Sequence, residues 1–213
     1  MKKVFIPLMV LGITGALTLS ACGKSETDRM IDAAPAAKIS APTSAALKTD
    51  GLKLVAVDAA KSKLDWLGAK VTSKHDGGFK KFDGKAWFDA KGDLKALRLE
   101  IDMSSLWSDS EKLTGHLLSK DFFFVKSHPK TTLVANKITK GADGSYTVAG
   151  DLTLRGVTKG ISFPLTVKKE GDVQVATANF SINRFDFKIV YPGKPDNLIR
   201  KEVLLKIRLV AAK

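Results

Sequence analysis

Most of the chain after residue 51 alternates apolar and polar residues with a period of two, which is typical of β-strands with one buried face. Leu97, Leu99 and Ile101, for example, alternate with Arg98 and Glu100. The same pattern recurs over residues 146–154, 161–167, 176–182 and 203–209, with further candidate strands at 64–71, 85–89 and 131–138. Turns rich in Gly and Asp separate these segments. About eight strands at regular spacing predict an all-β antiparallel fold, either a sandwich or a closed barrel.

One segment breaks the alternation. Residues 110–119 place Leu113 and Leu117 four positions apart, and Phe122 and Phe123 follow shortly afterwards. Side chains four positions apart share one face of a helix. We therefore predict a short helix or turn across one end of the barrel, with the phenylalanines packed beneath it.

The N-terminus has the layout of a secretory signal. Lys2 and Lys3 precede a run from residue 4 to 19 that is almost uncharged, and small residues follow it. This run is too short for a typical membrane-spanning helix. We therefore predict that residues 1–21 are a signal peptide that is removed from the mature protein.

The end of this leader resembles the lipobox of bacterial lipoproteins. The residues concerned are Leu19-Ser20-Ala21-Cys22. In lipoproteins the peptidase cuts before the cysteine, whose sulfur carries a diacylglycerol, so the resemblance implies lipidation of Cys22. Gly23 resembles the outer-membrane sorting pattern, which implies a lipid-anchored protein of the cell envelope, at the outer membrane and facing the periplasm. The alternative is that Cys22 is an incidental thiol near an ordinary cleavage site.

Residues 22–50 are dominated by Ala, Pro, Ser and Thr, and their charges balance. Such a composition buries too little apolar surface to offset chain entropy. We therefore predict a flexible tether over 22–50, which connects the leader to a single domain over 51–213.

Composition narrows the classes of function. The 213-residue chain has one Cys, which excludes internal disulfides and Cys-rich zinc sites. Its net charge is +13, and because the tether is neutral the excess lies in the predicted domain. Acidic lipids, an anionic ligand or polyanions are therefore plausible partners. Aromatic-rich basic barrels also bind nucleic acid, but a secreted protein does not meet it, so we predict no nucleic-acid partner.

The sequence shows little evidence of catalysis. His75, His116 and His128 have spacings of no known metal motif, and we predict no metal site. No nucleophile elbow, phosphate-binding loop or dinucleotide motif is present. Ser and Asp are abundant enough for a hydrolytic triad, but no spacing indicates one. We therefore predict that the protein is not an enzyme and has no catalytic residues or cofactor, other than a non-covalently bound lipid.

Six ordered stretches resemble the YceI-like, lipocalin-like proteins of the bacterial envelope. They are His75-Asp76-Gly77-Gly78-Phe79 with Phe82 and Gly84, Ile101-Asp102-Met103-Ser104-Ser105-Leu106, Leu113 with His116-Leu117, Ser119-Lys120-Asp121-Phe122-Phe123, Gly150-Asp151-Leu152-Thr153-Leu154-Arg155-Gly156-Val157-Thr158-Lys159, and Asn183-Arg184-Phe185-Asp186-Phe187. The resemblance runs from about residue 55 to the C-terminus. It implies an eight-stranded antiparallel barrel with an elongated apolar pocket that binds polyisoprenoid chains, including isoprenoid quinones and prenyl diphosphates. Two residues depart from the family pattern at the expected pocket rim, Phe124 in place of an acidic residue and Lys188 in place of Gly.

The candidate ligand-binding residues are aromatic, aliphatic or basic. They are Trp66, Phe79, Phe82, Trp87, Leu117, Phe122, Phe123, Arg155, Arg184 and Phe185. The rings would line a tunnel around a slender lipid, or, in the simpler alternative, would only fill the core.

The two arginines have a functional and a structural interpretation. In the first, Arg155 and Arg184 face a diphosphate or a quinone oxygen at the pocket mouth. In the second, Arg184 pairs with a carboxylate such as Asp186 or Asp121 and stabilises one end of the barrel.

Two functions follow from these observations. The first is an anchored binding protein that stores, transports or sequesters an isoprenoid lipid. The second is an envelope interaction protein, in which side chains fill the barrel and a basic face binds an acidic partner. A homodimer is compatible with either function.

Overall fold

The protein is described here by a computed structural model that covers residues 25–44 and 46–212. This part of the chain contains fourteen strands and two α-helices. The helices are α1 (Glu26–Ala33) and α2 (Glu111–Leu118), and 3₁₀-helices span Met103–Ser105 and Arg184–Phe187. The strands are β1 (Lys38–Ser40), β2 (Lys53–Ala56), β3 (Lys63–Lys70), β4 (Ser73–Phe79), β5 (Phe82–Phe88), β6 (Leu94–Asp102), β7 (Leu106–Ser108), β8 (Lys130–Lys140), β9 (Tyr146–Leu154), β10 (Val157–Glu170), β11 (Val173–Asn183), β12 (Gly193–Lys194), β13 (Asn197–Leu198) and β14 (Glu202–Ala212).

One strongly curled sheet forms the body of the protein. Its strand order is β2-β5-β6-β8-β9-β10-β11-β14-β3-β4-β7, and every neighbouring pair is antiparallel. The sheet curls until the residues after β2 reach the end of β14, where Val57 bridges Ala211 and the Asp58 N–H donates to the Val210 carbonyl at 2.7 Å. The predicted all-β lipocalin-like class is confirmed. The predicted count of eight strands is too low, because nine of the described strands have seven or more residues.

The predicted alternation corresponds to the inner and outer faces of this sheet. On β9, Tyr146, Val148, Leu152 and Leu154 are buried. They belong to one continuous apolar core inside the curled sheet. The sequence periodicity therefore identifies the inner face of this strand correctly.

The connection between β9 and β10 is a two-residue hairpin. Arg155 and Gly156 have φ angles of 51° and 70°. Two consecutive residues with positive φ are the signature of a type I′ turn, whose twist matches that of the flanking strands. Because Arg155 is not glycine, it occupies this conformation at some energetic cost.

The N-terminal segment differs from the predicted tether over 22–50. Within it, α1 packs through Ile31 against the outer face of β3 and β14. β1 then pairs with β10 through residues 160–162. The Thr43 and Ser44 N–H groups both donate to the Asp151 carboxylate at 2.8 Å. The described residues 25–44 therefore form a strap around the barrel, which corrects the prediction of a flexible tether for this part.

Two predictions fall outside the described residues. The signal peptide over 1–21 and the lipidation site Cys22 precede the first described residue, Ser25. In the part of the chain that the structure covers, no helix is both long and apolar enough to cross a membrane.

Candidate functional site

The curled sheet encloses a cavity of about 640 Å³. Its deep wall comes from inward-facing residues of β3, β9, β11 and β14, and α2 covers one side. The apolar lining residues are Leu64, Trp66, Ala69, Phe79, Ile101, Leu113, Leu117, Phe122, Phe123, Leu152, Leu154, Ile182, Ile189, Tyr191, Ile199, Val203, Leu205 and Ile207. An apolar cavity of this volume lies in the range of pockets that bind small molecules.

Polar residues line the cavity mainly where it meets solvent. Lys112 and Lys194 are exposed, and Lys70 is half-buried. Asp65 is the one carboxylate among the lining residues of the described chain. The mouth is therefore basic, whereas the interior is apolar.

Helix α2 is held over the cavity by its cap and by a cluster of rings. The Ser110 side chain caps α2, and Leu117 faces inward and is buried. The His116 ring meets the rings of Phe122 and Tyr191 edge-on, at centroid distances of 5.0 and 4.9 Å. Because Tyr191 belongs to the chain between the second 3₁₀-helix and β12, these contacts join both sides of the mouth. The helix predicted at residues 110–119 is present at this position.

Five of the ten candidate residues contribute side chains to the apolar cavity wall. They are Trp66, Phe79, Leu117, Phe122 and Phe123. Trp66 and Phe122 are also buried members of the core. Their position is compatible with both interpretations of the rings, and their role in ligand binding stays a prediction.

Three aromatic candidates lie away from the cavity. Phe82 packs against the core at the start of β5 without lining the cavity. Trp87 shares the outer face of β5 with Asp83 and Lys85, because inward and outward residues alternate along a strand. Phe185 is 45% exposed in the second 3₁₀-helix. The structure therefore does not place these three rings among the residues that surround the cavity.

Arg184 borders the cavity, but its side chain is engaged by the backbone. Its guanidinium donates to the carbonyls of Ile189 at 2.6 Å, Arg200 at 3.0 Å and Ile199 at 3.2 Å. The residue is 4% exposed, and burial lowers the pKa of the guanidinium. The predicted carboxylate partners are not used, and Asp121 instead contacts His116 Nε2 at 3.1 Å. Arg184 therefore stabilises this end of the barrel, but through carbonyl groups.

Arg155 does not line the cavity. Its two Nη groups donate to the carbonyls of Lys188 at 2.7 Å and Lys120 at 2.8 Å. It therefore joins the segment after α2 to the segment after the second 3₁₀-helix. A headgroup would have to compete with both carbonyls, and the prediction that Arg155 faces a ligand is corrected accordingly.

The two departures from the family pattern share an uncommon backbone conformation. Phe124 and Lys188 have φ angles of 50° and 57°. Lys188 ends the second 3₁₀-helix, and its N–H donates to the carbonyls of Arg184 and Phe185. Glycine adopts this conformation without steric cost, which explains why the family pattern has glycine where this chain has Lys188.

Several wall residues were not predicted as site residues. Leu152, Ile182 and Leu205 lie on inward positions of alternating strands, so the same periodicity would have identified them. Tyr191 lies outside regular structure, and no sequence signal indicated it. Lys70 and Lys194 are two of many lysines, and only the fold brings them to the mouth.

The histidines do not gather into a metal site. In residues 25–44 and 46–212, no group of three or more His, Cys, Asp or Glu side chains has a metal-binding arrangement. His75 Nδ1 contacts Asp109 Oδ1 at 2.9 Å, and His116 contacts Asp121. Asp109 lies two residues before α2 and Asp121 three residues after it, so the two pairs connect the start of the helix to β4 and its last turn to the segment that follows.

A curled antiparallel sheet around an apolar cavity, covered by a short helix, defines the class of lipocalin-like barrels. A family model described as the YceI-like domain matches residues 56–211, and the chain therefore belongs to the YceI-like family.

Curated relatives and solved structures agree with this assignment. A UPF0312 protein of Pseudomonas putida is 34% identical over 124 residues, which cover 55% of this chain and 65% of that protein. A UPF0312 protein of Pseudomonas fluorescens is 29% identical over 137 residues, which cover 61% and 71%. The chain thus spans about 65% of the length of the first relative.

Two solved structures have the same fold. Burkholderia cenocepacia BcnA superposes with a TM-score of 0.66 at 27% identity, over 73% of this chain and 99% of BcnA. A polyisoprenoid-binding domain from Saccharophagus degradans, implicated in plant cell wall breakdown, gives a TM-score of 0.60 at 15% identity, over 75% and 99%. At that identity the second likeness shows the fold alone.

Proposed function

We propose that this protein is a membrane-anchored binding protein that holds an isoprenoid-type lipid in the barrel cavity. The lipid is an isoprenoid quinone or a prenyl diphosphate, which the protein stores, transports or sequesters in the cell envelope. In this proposal the protein binds the lipid without catalysing a reaction. Lipidation of Cys22 anchors it to the outer membrane, facing the periplasm.

The cavity is the observation that carries the proposal. Its walls are mainly apolar, and its volume of about 640 Å³ suits a ligand with a slender apolar chain. Each CH₂ group that leaves water for such a pocket contributes about 0.8 kcal/mol. The name of the Saccharophagus degradans domain, which describes polyisoprenoid binding on the same fold, supports the choice of lipid class.

The competing function is an interaction protein with a side-chain-filled barrel and a basic face. The cavity counts against a filled barrel, because the inner side chains of β3, β9, β11 and β14 leave open space between them. The net charge of +13 is compatible with either function.

Filling the cavity tests the proposal directly. Gly68 lines the cavity, and a Cβ atom added there would lie 3.7 Å from the Trp66 ring, which is ordinary van der Waals contact. Gly68→Leu therefore fills part of the cavity without displacing the backbone. Gly115→Leu is the matched control, because Gly115 is exposed on α2 and an added Cβ atom meets nothing within 4 Å.

The measurement is mass spectrometry of lipids extracted from each purified protein, together with its melting temperature. We expect an isoprenoid lipid with the wild type and with Gly115→Leu, and a large loss of it with Gly68→Leu at a similar melting temperature. A wild-type protein that carries no lipid and binds none when isoprenoids are added would favour the interaction protein.

The anchor has a separate test. Cys22→Ala should abolish labelling with palmitate, because no other cysteine is present. Unchanged labelling would contradict the lipobox interpretation without affecting the cavity.

A further inference from the structure

The mouth of the cavity carries two apolar side chains that face solvent. Val71, between β3 and β4, is 72% exposed, and Leu198, at the end of β13, is 52% exposed. They are neighbours, since the Val71 N–H donates to the Leu198 carbonyl at 3.2 Å. Each follows a residue that lines the cavity, Lys70 and Asn197. We call Val71 and Leu198 the apolar tip, and it lies at the edge of the mouth.

Positive charges line the mouth beside the apolar tip. Lys70, Lys112 and Lys194 line the cavity, and none of them forms an ion pair with another described residue. Negative charges lie at this end too: Asp65 lines the cavity, Asp196 lies in the turn between β12 and β13, and Glu111 precedes Lys112, whereas Asp28 and Asp32 of α1 are paired with Arg200. An apolar tip among unpaired lysines matches the chemistry of an anionic bilayer, where acyl chains lie behind acidic headgroups.

The strap brings the start of the described chain to the same end of the barrel. The Arg200 N–H donates to the carbonyl of Ala69 at 2.9 Å, and Ala69 lines the cavity. The Arg200 guanidinium contacts Asp28 and Asp32 of α1, both at 2.5 Å. Helix α1 is therefore fixed beside the mouth.

Chain length then limits how far the mouth lies from a lipid anchor. Helix α1 begins at Glu26, four residues after Cys22, and four residues span at most about 14 Å. An acyl anchor on Cys22 would hold the mouth close to the bilayer surface, whereas a flexible tether would leave its orientation free.

We propose that the mouth of the cavity docks on an anionic lipid bilayer. Val71 and Leu198 enter the acyl region, while Lys70, Lys112 and Lys194 contact the headgroups. This inference rests on the proposed lipid-binding function and adds the path by which the lipid enters and leaves the cavity. At a docked mouth, the lipid passes between the bilayer and the cavity without crossing water.

Site-specific fluorescence tests the docking. Because Cys22 is the chain's one cysteine, full-length Cys22→Ala accepts a single new cysteine at Val71, Leu198 or Leu54 for labelling with bimane. Leu54 is the matched control: it is also 52% exposed, but it lies on β2, which joins the far end of β14. Vesicles of phosphatidylcholine, with or without phosphatidylglycerol, provide the membrane, and some carry a doxyl quencher in their acyl chains.

We expect a blue shift and doxyl quenching at positions 71 and 198 with phosphatidylglycerol vesicles, and neither at position 54. Equal responses at all three positions would indicate nonspecific adsorption and overturn the proposal. No response at positions 71 and 198 would also overturn it, and an acidic protein partner would then be the better candidate for this surface.

The lysines are tested by vesicle binding. A Lys near an anionic surface contributes about five-fold in affinity, so Lys70→Gln with Lys194→Gln should weaken binding to phosphatidylglycerol vesicles about thirty-fold. Lys168→Gln with Lys169→Gln is the control, because both residues are exposed at the opposite end of the barrel. Equal losses in the two double variants would show that only the net charge matters, and would overturn docking by the mouth.

Lipid extraction from the same proteins separates this inference from the proposed function. An isoprenoid retained by a protein whose apolar tip does not insert would refute the docking alone. A tip that inserts in a protein that never carries an isoprenoid would refute the proposed function alone.

Discussion

Replacing Arg184 by Gln is expected to destabilise the barrel and to leave the headgroup preference of the cavity unchanged. The guanidinium is buried and donates to three carbonyls, those of Ile189, Ile199 and Arg200. These carbonyls belong to the segment between the second 3₁₀-helix and β14, which forms part of the cavity wall. Arg184 thus connects its own helix to the segment that frames the mouth.

The magnitude follows from the number of hydrogen bonds. A hydrogen bond from a charged donor contributes about 1.5–3 kcal/mol, and the cost of burying the guanidinium offsets part of the total. Gln can replace one of the three bonds, so the loss of the other two at the lower value gives about 3 kcal/mol. For a chain of this length that corresponds to a decrease in melting temperature of about 6–12 °C.

The assay combines thermal unfolding, followed by circular dichroism, with competition between a prenyl diphosphate and an isoprenoid quinone for the cavity. Arg98→Gln is the control, since Arg98 is an exposed residue of β6 and its loss should change stability by less than about 0.5 kcal/mol. We expect Arg184→Gln to lower the melting temperature and to weaken both ligands equally. An unchanged melting temperature with selective loss of the diphosphate would refute this reasoning and would restore a headgroup role for Arg184.

Three further predictions concern packing and pH. Phe122→Ala should lower the free energy of unfolding by about 3–5 kcal/mol, measured by urea denaturation, because the ring is buried in the core; wild-type stability would contradict this. Gly77→Ala should cost about 1–3 kcal/mol or more, since its Cβ atom would overlap both the Trp66 ring and the Trp107 carbonyl oxygen; an unchanged melting temperature would contradict this. Hydrogen bonds from a serine hydroxyl and then from Arg200 lower the pKa of Asp28 below 3.8, so the docking of α1 is fully stabilised above that pH and weakens as the pH falls through the lowered pKa. The protection factors of the α1 amides against hydrogen exchange should fall only under those acidic conditions, and a fall already near neutral pH would exclude this carboxylate as the cause.

The strands could be predicted because the burial of alternate residues on a sheet produces a matching alternation of apolar and polar residues in the local sequence. On β9 and β11, alternate residues face the core, and the sequence repeats that period over all nine residues of β9 and over residues 176–182 of β11. Short apolar runs lack this information. Ala86, Trp87 and Phe88 are consecutive apolar residues of β5, so their order does not reveal that Trp87 is the one that faces outward.

The strap could not be predicted because its stability comes from distant residues. α1 is eight residues long, and isolated helices of that length are marginal in water. It is held by Ile31, which packs on β3 and β14, and by the contacts of Asp28 and Asp32 with Arg200. Arg200 lies more than 160 residues away from both aspartates in the sequence, and the Ala- and Pro-rich composition around α1 is equally typical of a linker.

The two candidate arginines and the lysines of the mouth have different chemical tasks, and this difference explains why the candidate site was only partly predictable. Arg155 and Arg184 donate to fixed backbone carbonyls, a geometry that suits the rigid, planar guanidinium. Lys70 and Lys194 form no ion pair with a described residue and stand where the cavity meets solvent. An ammonium group on a flexible chain can follow a headgroup as it enters or leaves, which a guanidinium bound to three carbonyls cannot do without breaking the wall of the cavity. Discrimination between anionic and neutral headgroups should therefore depend on the lysines, although the motif that resembles the family contains the arginines.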